Sequence, residues 1–309
     1  MFDTKIAEKL NVINFPIEVQ KIRGIPEEMA RAVVRTDQVT NEGHSVLGVV
    51  GSRYKPINHM DAFGGALSKL IGNGMIVDPE HLKVDTYENG AMAKMELVLP
   101  NHTTTVGDHK MALKYVARNS YNARWKYQSF FGWLNWVCFN TQVSGQKLAY
   151  TANRHTNQFD VHSSNLKVQK AVEAVINEAE NFKRWWDAKI TDDEALNIFK
   201  NTLAKSQATQ AQLMSGASEQ NTKQLSVLMD LFQKEATHLR GGGDYGRNGA
   251  SGTLWCAYQA STAWSTHLND VEDSKKKHII QARRQQDIYK MLNSKFWKQL
   301  EPKNKLIVA

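Results

Sequence analysis

A chain of 309 residues that is 41% apolar and 23% charged can bury a full core, and two domains are expected. No apolar run reaches the roughly 20 residues that a membrane helix needs, so a helical membrane protein is excluded. The net charge is +8 and uneven, because residues 274–309 hold ten Lys or Arg against Asp287 and Glu301, and the rest sums to zero.

The first 40 residues are broken by Pro16, Gly24 and Pro26 and read as an arm or short helices. Residues 46–50 form a strand, and a helix follows from about His59 to Ile71 with Met60, Phe63, Leu67 and Leu70 on one face. Residues 82–87 and 91–99 alternate around Glu88-Asn89-Gly90, the strongest hairpin signal in the chain. Pro100 is expected to stop the second strand, and a third strand fits Ala112 to Arg118. The stretch from Arg124 to Asn140 has rings on nearly every side and fits neither period cleanly.

From Leu166 the spacing becomes helical. Val168, Val172, Val175, Ala179, Phe182 and Trp186 mark a helix to about residue 189. Thr191-Asp192-Asp193-Glu194 is a capping box that starts another. Further helices are expected over residues 223–240, 254–268 and 274–300, the last one basic. The fold class is therefore α+β: an N-terminal antiparallel-sheet unit with packed helices, then a mainly helical C-terminal unit. The expected divisions are 1–40, 41–165 and 166–309.

Few motifs carry chemistry. Residues 241–246 match GxGxxG, but a helix rather than a strand precedes them, so a turn is the better reading. No Walker-type GxxxxGK[ST] occurs, which argues against intrinsic ATPase activity. Cys138 could act as a nucleophile with His155 or His162, yet between Val137 and Phe139 it reads as a small buried hydrophobe. Neither Cys138 nor Cys256 has CxxC spacing, and both read as reduced thiols in a cytosol-like compartment. The start of the chain lacks the apolar core of a secretory signal. Asp85, Lys94 and Glu96 resemble part of a nuclease site, although alternating charges on a half-buried strand explain them. No catalytic residue, metal or cofactor is assigned.

The informative stretch is residues 109–159, which contain no Asp or Glu. They hold seven basic residues (Lys110, Lys114, Arg118, Arg124, Lys126, Lys147 and Arg154) and eleven aromatic ones. Cations that meet phosphates and rings that stack on bases are what single-strand binding needs. An aromatic core with a solvated basic rim has the same composition, and a protein-partner surface is the third reading. On the first reading Arg118, Arg124, Lys126, Lys147 and Arg154 hold phosphates, while Tyr121, Trp125 and Tyr127 stack. Asn119 and Ser120 would fix the turn that presents them. Lys275-Lys276-Lys277 and Arg283-Arg284 form either a solvated helix face or a second phosphate contact.

Three stretches carry a family resemblance: residues 49–56 (VVGSRYKP), Arg118-Asn119-Ser120-Tyr121 with Gly132 and residues 137–140 (VCFN), and residues 254–260 (LWCAYQA) with Thr262, Trp264 and His267. Together they resemble the phage- and plasmid-type domain of unknown function, number 932, over roughly residues 45–285. The resemblance implies a bacteriophage or mobile-element protein acting in the bacterial cytoplasm, and it carries over no catalytic residue. One departure stands out, since the family commonly has a small-residue turn where this chain has Arg124-Trp125-Lys126-Tyr127. In outline the chain is also similar to phage single-strand annealing proteins. The expectation is a phage-encoded single-stranded-DNA-binding protein, with strand annealing as one form of its activity, that works in recombination or replication without ATP. It is expected to form a homo-oligomer, with no membrane partner. The alternative is an interaction protein that inhibits or recruits a host factor.

Overall fold

A computed structural model describes residues 2–40, 43–107, 109–135, 141–143, 150–153, 155, 168–204, 219–239, 252–267 and 276–302. The first 40 residues are more ordered than expected. Helix α1 (Thr4–Leu10), capped by the Asp3 carboxylate on the Lys5 N–H, is followed by strands β1 (Ile17–Lys21) and β2 (Arg31–Thr40). With β3 (Gly43–Val50) they make an antiparallel sheet in the order β1-β2-β3. Sequence reading missed β1 and β2 because Pro16, Gly24 and Pro26 lie before and between them, in the connections. Helix α2 (His59–Gly72) runs as expected, with Asn58 accepting from the Met60 N–H at its start and Phe63, Leu67 and Leu70 buried.

Strands β4 (Leu82–Tyr87) and β5 (Met92–Val106) form the expected hairpin, in register from Tyr87↔Met92 to Leu82↔Leu97. Its turn requires its residues: Asn89 sits in the left-handed region (φ 57°) and Gly90 follows at φ 92°. Strand β5 does not stop at Pro100. Pairing with β4 ends at Leu97, so Pro100 lies beyond the reach of that partner, where a missing N–H is tolerated. Strands β6 (His109–Ser120), β7 (Tyr127–Asn135), β8 (Thr141–Val143) and β9 (Tyr150–Asn153) complete a six-stranded sheet, ordered β4-β5-β6-β7-β8 with β9 also pairing β7. The ambiguous ring-rich stretch thus contains strand β7, and its last residues, 136–140, lie outside the described residues. The residues of β7 are buried on both faces, which removes the alternation that marks a half-exposed strand.

The remaining elements are α3 (Val168–Asp187), the short strand β10 (Lys189–Ile190), α4 (Asp192–Thr202), α5 (Glu219–Leu239), β11 (Gly252–Thr253), α6 (Leu254–His267), α7 (Lys277–Leu292) and α8 (Lys295–Lys298). The capping box at Thr191 and Glu194 is present. The basic C-terminal helix is shorter than expected and breaks at Asn293-Ser294, where the Ser294 hydroxyl caps α8. The protein is α+β, with antiparallel sheets first and helices after.

The chain divides into two compact units. Unit 1 comprises 1–103, 112–132 and 146–175, and unit 2 comprises 104–111, 133–145 and 176–309. One core of unit 1 gathers Phe15, Val33, Leu47, Val50, Ala91 and Tyr121. Unit 2 is centred on rings. Phe182 lies 5.5 Å from Trp255 and 5.6 Å from Tyr258, and Trp185 lies 5.1 Å from both Tyr258 and Trp297. Helix α6 is buried from Leu254 to Ser265, and its hydroxyls turn back on its own carbonyls, as Ser261 does on Ala257. Cys256 lies there, its thiol pushed up by burial, which is the state of an inert structural cysteine. Among the described residues no helix is long and apolar enough to cross a membrane.

Candidate functional site

Two segments of unit 1 share a pattern of cation, ring, cation: Arg53-Tyr54-Lys55 and Arg124-Trp125-Lys126. In each, the central ring turns inward and the flanking cations are exposed. The Tyr54 hydroxyl donates to the Ser120 carbonyl at 2.6 Å, and its ring lies 5.0 Å from that of His155. Burial is the first cause that pushes the Tyr54 hydroxyl up to about 12, so it remains a donor. Trp125 is 3% exposed, and the Ser120 hydroxyl bridges its backbone by donating to its carbonyl and accepting from its N–H. The Arg31 guanidinium clamps the first segment by donating to the carbonyls of Ser52 (2.6 Å) and Tyr54 (3.0 Å). The two segments adjoin through Ser120, whose carbonyl accepts from Tyr54 and whose hydroxyl holds the Trp125 backbone, and β3 lies against the second turn, where a Cβ added to Gly48 would stand 2.6 Å from Asn122 Cα. Arg53, Lys55, Arg124 and Lys126 therefore line two neighbouring turns. Among the described residues one carboxylate answers them, since Glu88 pairs with Arg124 and accepts from Asn122.

Beneath the turns lies a hub built on Asn119, which is fully buried. Its amide donates to the Ile57 carbonyl (2.7 Å) and to His59 Nδ1 (2.9 Å), and its Oδ1 accepts from His155 Nε2 (2.6 Å). His59 Nε2 faces the Gly90 carbonyl at 3.0 Å, so that nitrogen carries the proton and Nδ1 is free to accept. The Tyr121 hydroxyl accepts from the His59 N–H, and the Lys55 N–H donates to the His155 carbonyl. Burial holds both imidazoles neutral, with His59 lowered to about 3 and His155 to about 4.

A third feature sits on one face of the sheet. Lys94 and Lys114 each grip one oxygen of Glu96, at 2.9 and 2.7 Å, and all three are largely buried. Burial opposes ionisation of Glu96, but the two ammonium groups outweigh it and hold the carboxyl well below its usual range. Burial also lowers Lys94, to about 8, against the attraction of Glu96. Arg118, 1% exposed, shares this face and lies over the rings of Trp125 (6.0 Å) and Phe130 (5.7 Å). The nuclease-like set is thus adjacent in space, with Asp85 and Lys94 paired across the hairpin. Its carboxylates are engaged by lysines instead of being presented to a metal, since Lys83 holds Asp85 at 3.2 Å. Among the described residues no group of three His, Cys, Asp or Glu could hold a metal ion.

The structure corrects several expected roles. Tyr121 and Tyr127 are fully buried and Trp125 nearly so, leaving no face on which a base could stack. Arg118 is buried too and reaches no solvent phosphate. Arg118 and Tyr127 are inward positions of β6 and β7, whereas Tyr121 and Trp125 turn inward from the connection between those strands. Arg124 and Lys126 are exposed, as a phosphate contact requires. Lys147, Arg154, Cys138, His162 and the glycine run at 241–246 lie outside the described residues. Ser120 fixes the local turn as expected, whereas Asn119 acts over much longer range. Sequence reading missed His59 entirely and considered His155 only as a base. The one local signal was Asn58-His59 at a helix start.

No curated protein and no solved structure matches the chain. A family model does, over residues 46–297, a span that contains both cation-ring-cation segments and the Asn119 hub. The chain belongs to the family described as domain of unknown function (DUF932).

Proposed function

We propose that this protein binds single-stranded DNA through its sugar–phosphate backbone, without ATP, in the cytoplasm of a bacterial host during phage or mobile-element recombination or replication. The observation that carries the reading is the pair of adjoining turns, each with two exposed cations around an anchored ring, half-buried at Tyr54 and buried at Trp125. Anchored rings fix the backbone of both turns, so little order is lost when Arg53, Lys55, Arg124 and Lys126 meet phosphates. Contacts made by cations alone give binding that is insensitive to sequence and sensitive to salt. Strand annealing follows from this mode, because a backbone-held strand leaves its bases free to pair.

Fluorescence anisotropy with a labelled oligothymidine at several salt concentrations tests the reading. The apparent affinity should fall with log salt by about 0.7 for each phosphate neutralised. The variant with all four cations changed to Gln should lose about two to three from that slope. Binding that ignores salt, or none at low salt, would end the proposal.

A partner protein, including a second copy of the chain, has one observation in its favour. Val46 and Val49 are each 59% exposed on the three-stranded sheet, and Val39 at 75%. Mass measurement of the free protein, beside a variant with Val46 and Val49 changed to Thr, tests self-association through that sheet.

A further inference from the structure

We propose that the outward face of α7 is a second phosphate-contacting surface, in unit 2, for the backbone of a single strand; this rests on the nucleic-acid reading above. Lys276, Arg283 and Lys290 are all exposed and recur every seven residues. Seven residues are close to two helical turns, so the three side chains form one stripe, drifting only about 20° per step. At 1.5 Å per residue the stripe is about 21 Å long.

The rest of the helix packs inward, with Ala282, Ile288, Met291 and Leu292 buried together with Arg284 and Gln285. Arg283 and Arg284 are neighbours with different tasks. The Arg284 guanidinium is buried, donates to the Trp264 carbonyl at 2.7 Å and lies 4.2 Å from that ring. Arg284 is therefore part of the fold. Arg283 has no ion pair among the described residues. The one acid of α7, Asp287, is bound by Lys290 at 2.9 Å, and Lys290 remains 62% exposed.

Lys276 occupies the N-cap of the helix without a side-chain cap bond, Lys277 follows, and no acid stands in the first turn. A row of cations without exposed rings suits phosphates better than bases.

The experiment compares the full chain with its K276Q/R283Q/K290Q variant by anisotropy on a labelled oligothymidine across a salt series. The variant should bind at least about tenfold more weakly at moderate salt, with a salt slope smaller by about two. Its thermal midpoint should stay level or rise. R283Q alone, at an exposed position, should remove about 0.7 of slope and guards against a triple variant that misfolds. An unchanged slope in a folded variant, with the wild type still binding, overturns the stripe and leaves the turns of unit 1 standing. A wild type that binds no oligonucleotide overturns both. Equal binding of polyglutamate, lost in the same variant, overturns the phosphate assignment in favour of an acidic protein.

Discussion

Asn119 Oδ1 accepts from His155 Nε2 at 2.6 Å, and through that contact the end of β6 holds the segment that follows β9. The same side chain holds the start of α2 through Ile57 and His59. One buried amide therefore fixes three segments that are distant in sequence. The cation-bearing turns rest on it, because Lys55 is bonded to His155 and Tyr121 to His59.

Replacing Asn119 with Ala should be severe. It strips partners from the Ile57 carbonyl and from both imidazoles while all stay buried. Each buried group left unsatisfied costs about 1–3 kcal/mol, so a loss of roughly 3–5 kcal/mol is expected. Asn119→Asp should do little better, since a carboxylate accepts from His155 but cannot donate to Ile57 or His59. Urea unfolding checks both, and a loss under about 1 kcal/mol would remove the hub from the account.

The neutral imidazoles set a pH dependence. Both rings titrate lower in the fold than the ordinary value of about 6.5. Below that value the unfolded chain takes up protons that the folded chain refuses. Their contribution is therefore complete above about pH 6.5 and declines as pH falls toward about 4 for His155 and about 3 for His59. Each ring can contribute up to about 1.4 kcal/mol per pH unit in that window. Glu96 acts separately: its lowered pKa makes its contribution fade only below the usual carboxylate range. His155→Gln keeps a donor for Asn119 and removes one titration. Its stability should decline less steeply than that of the wild type between about pH 6.5 and 5, as read from urea midpoints. Parallel curves would contradict the assignment.

Trp125 separates the anchor role from the stacking role. As an anchor, Trp125→Phe should cost about 1–3 kcal/mol of stability and leave the salt slope of oligonucleotide binding unchanged. As a stacking platform it would lose affinity without losing much stability. Anisotropy and urea unfolding on the same variant distinguish the two outcomes.

Local signals made much of the fold legible. Asn89-Gly90 announced its hairpin, Thr191 and Glu194 their helix start, and Phe63, Leu67 and Leu70 their buried face. What stayed hidden depends on burial and long-range contact. Strand β7 lost its alternation because both faces are covered. Composition put Arg118 and Arg124 in one basic group, while the fold buries the first and exposes the second. Arg53 and Lys55 lay in a recognised motif, yet only Tyr54 meeting Ser120 brings them beside Arg124. The Asn119 hub has no local signature, since its partners lie 36, 60 and 62 residues away.

Gly48→Ala tests whether the turn at 121–126 packs on β3 as described. The added methyl would stand 2.6 Å from Asn122 Cα, 2.7 Å from its Cβ and 3.1 Å from the Tyr121 carbonyl. Two of those atoms are backbone, so no rotamer relieves the contact, and the turn at 121–126 must shift away from β3. Overpacking of this kind costs about 1–3 kcal/mol. The shift would also stretch the 2.6 Å bond from Tyr54 to Ser120, which registers the first cation segment against the second. The expected result is a lower urea midpoint together with weaker oligonucleotide binding under conditions where the protein is still folded. Gly51→Ala is the matched control, because a Cβ there meets nothing within 4 Å. It should leave both measurements near wild type, within about 0.5 kcal/mol for stability. If Gly48→Ala were as mild as Gly51→Ala, the turn at 121–126 would not be packed on β3 as described, and the shared cationic surface would lose that support.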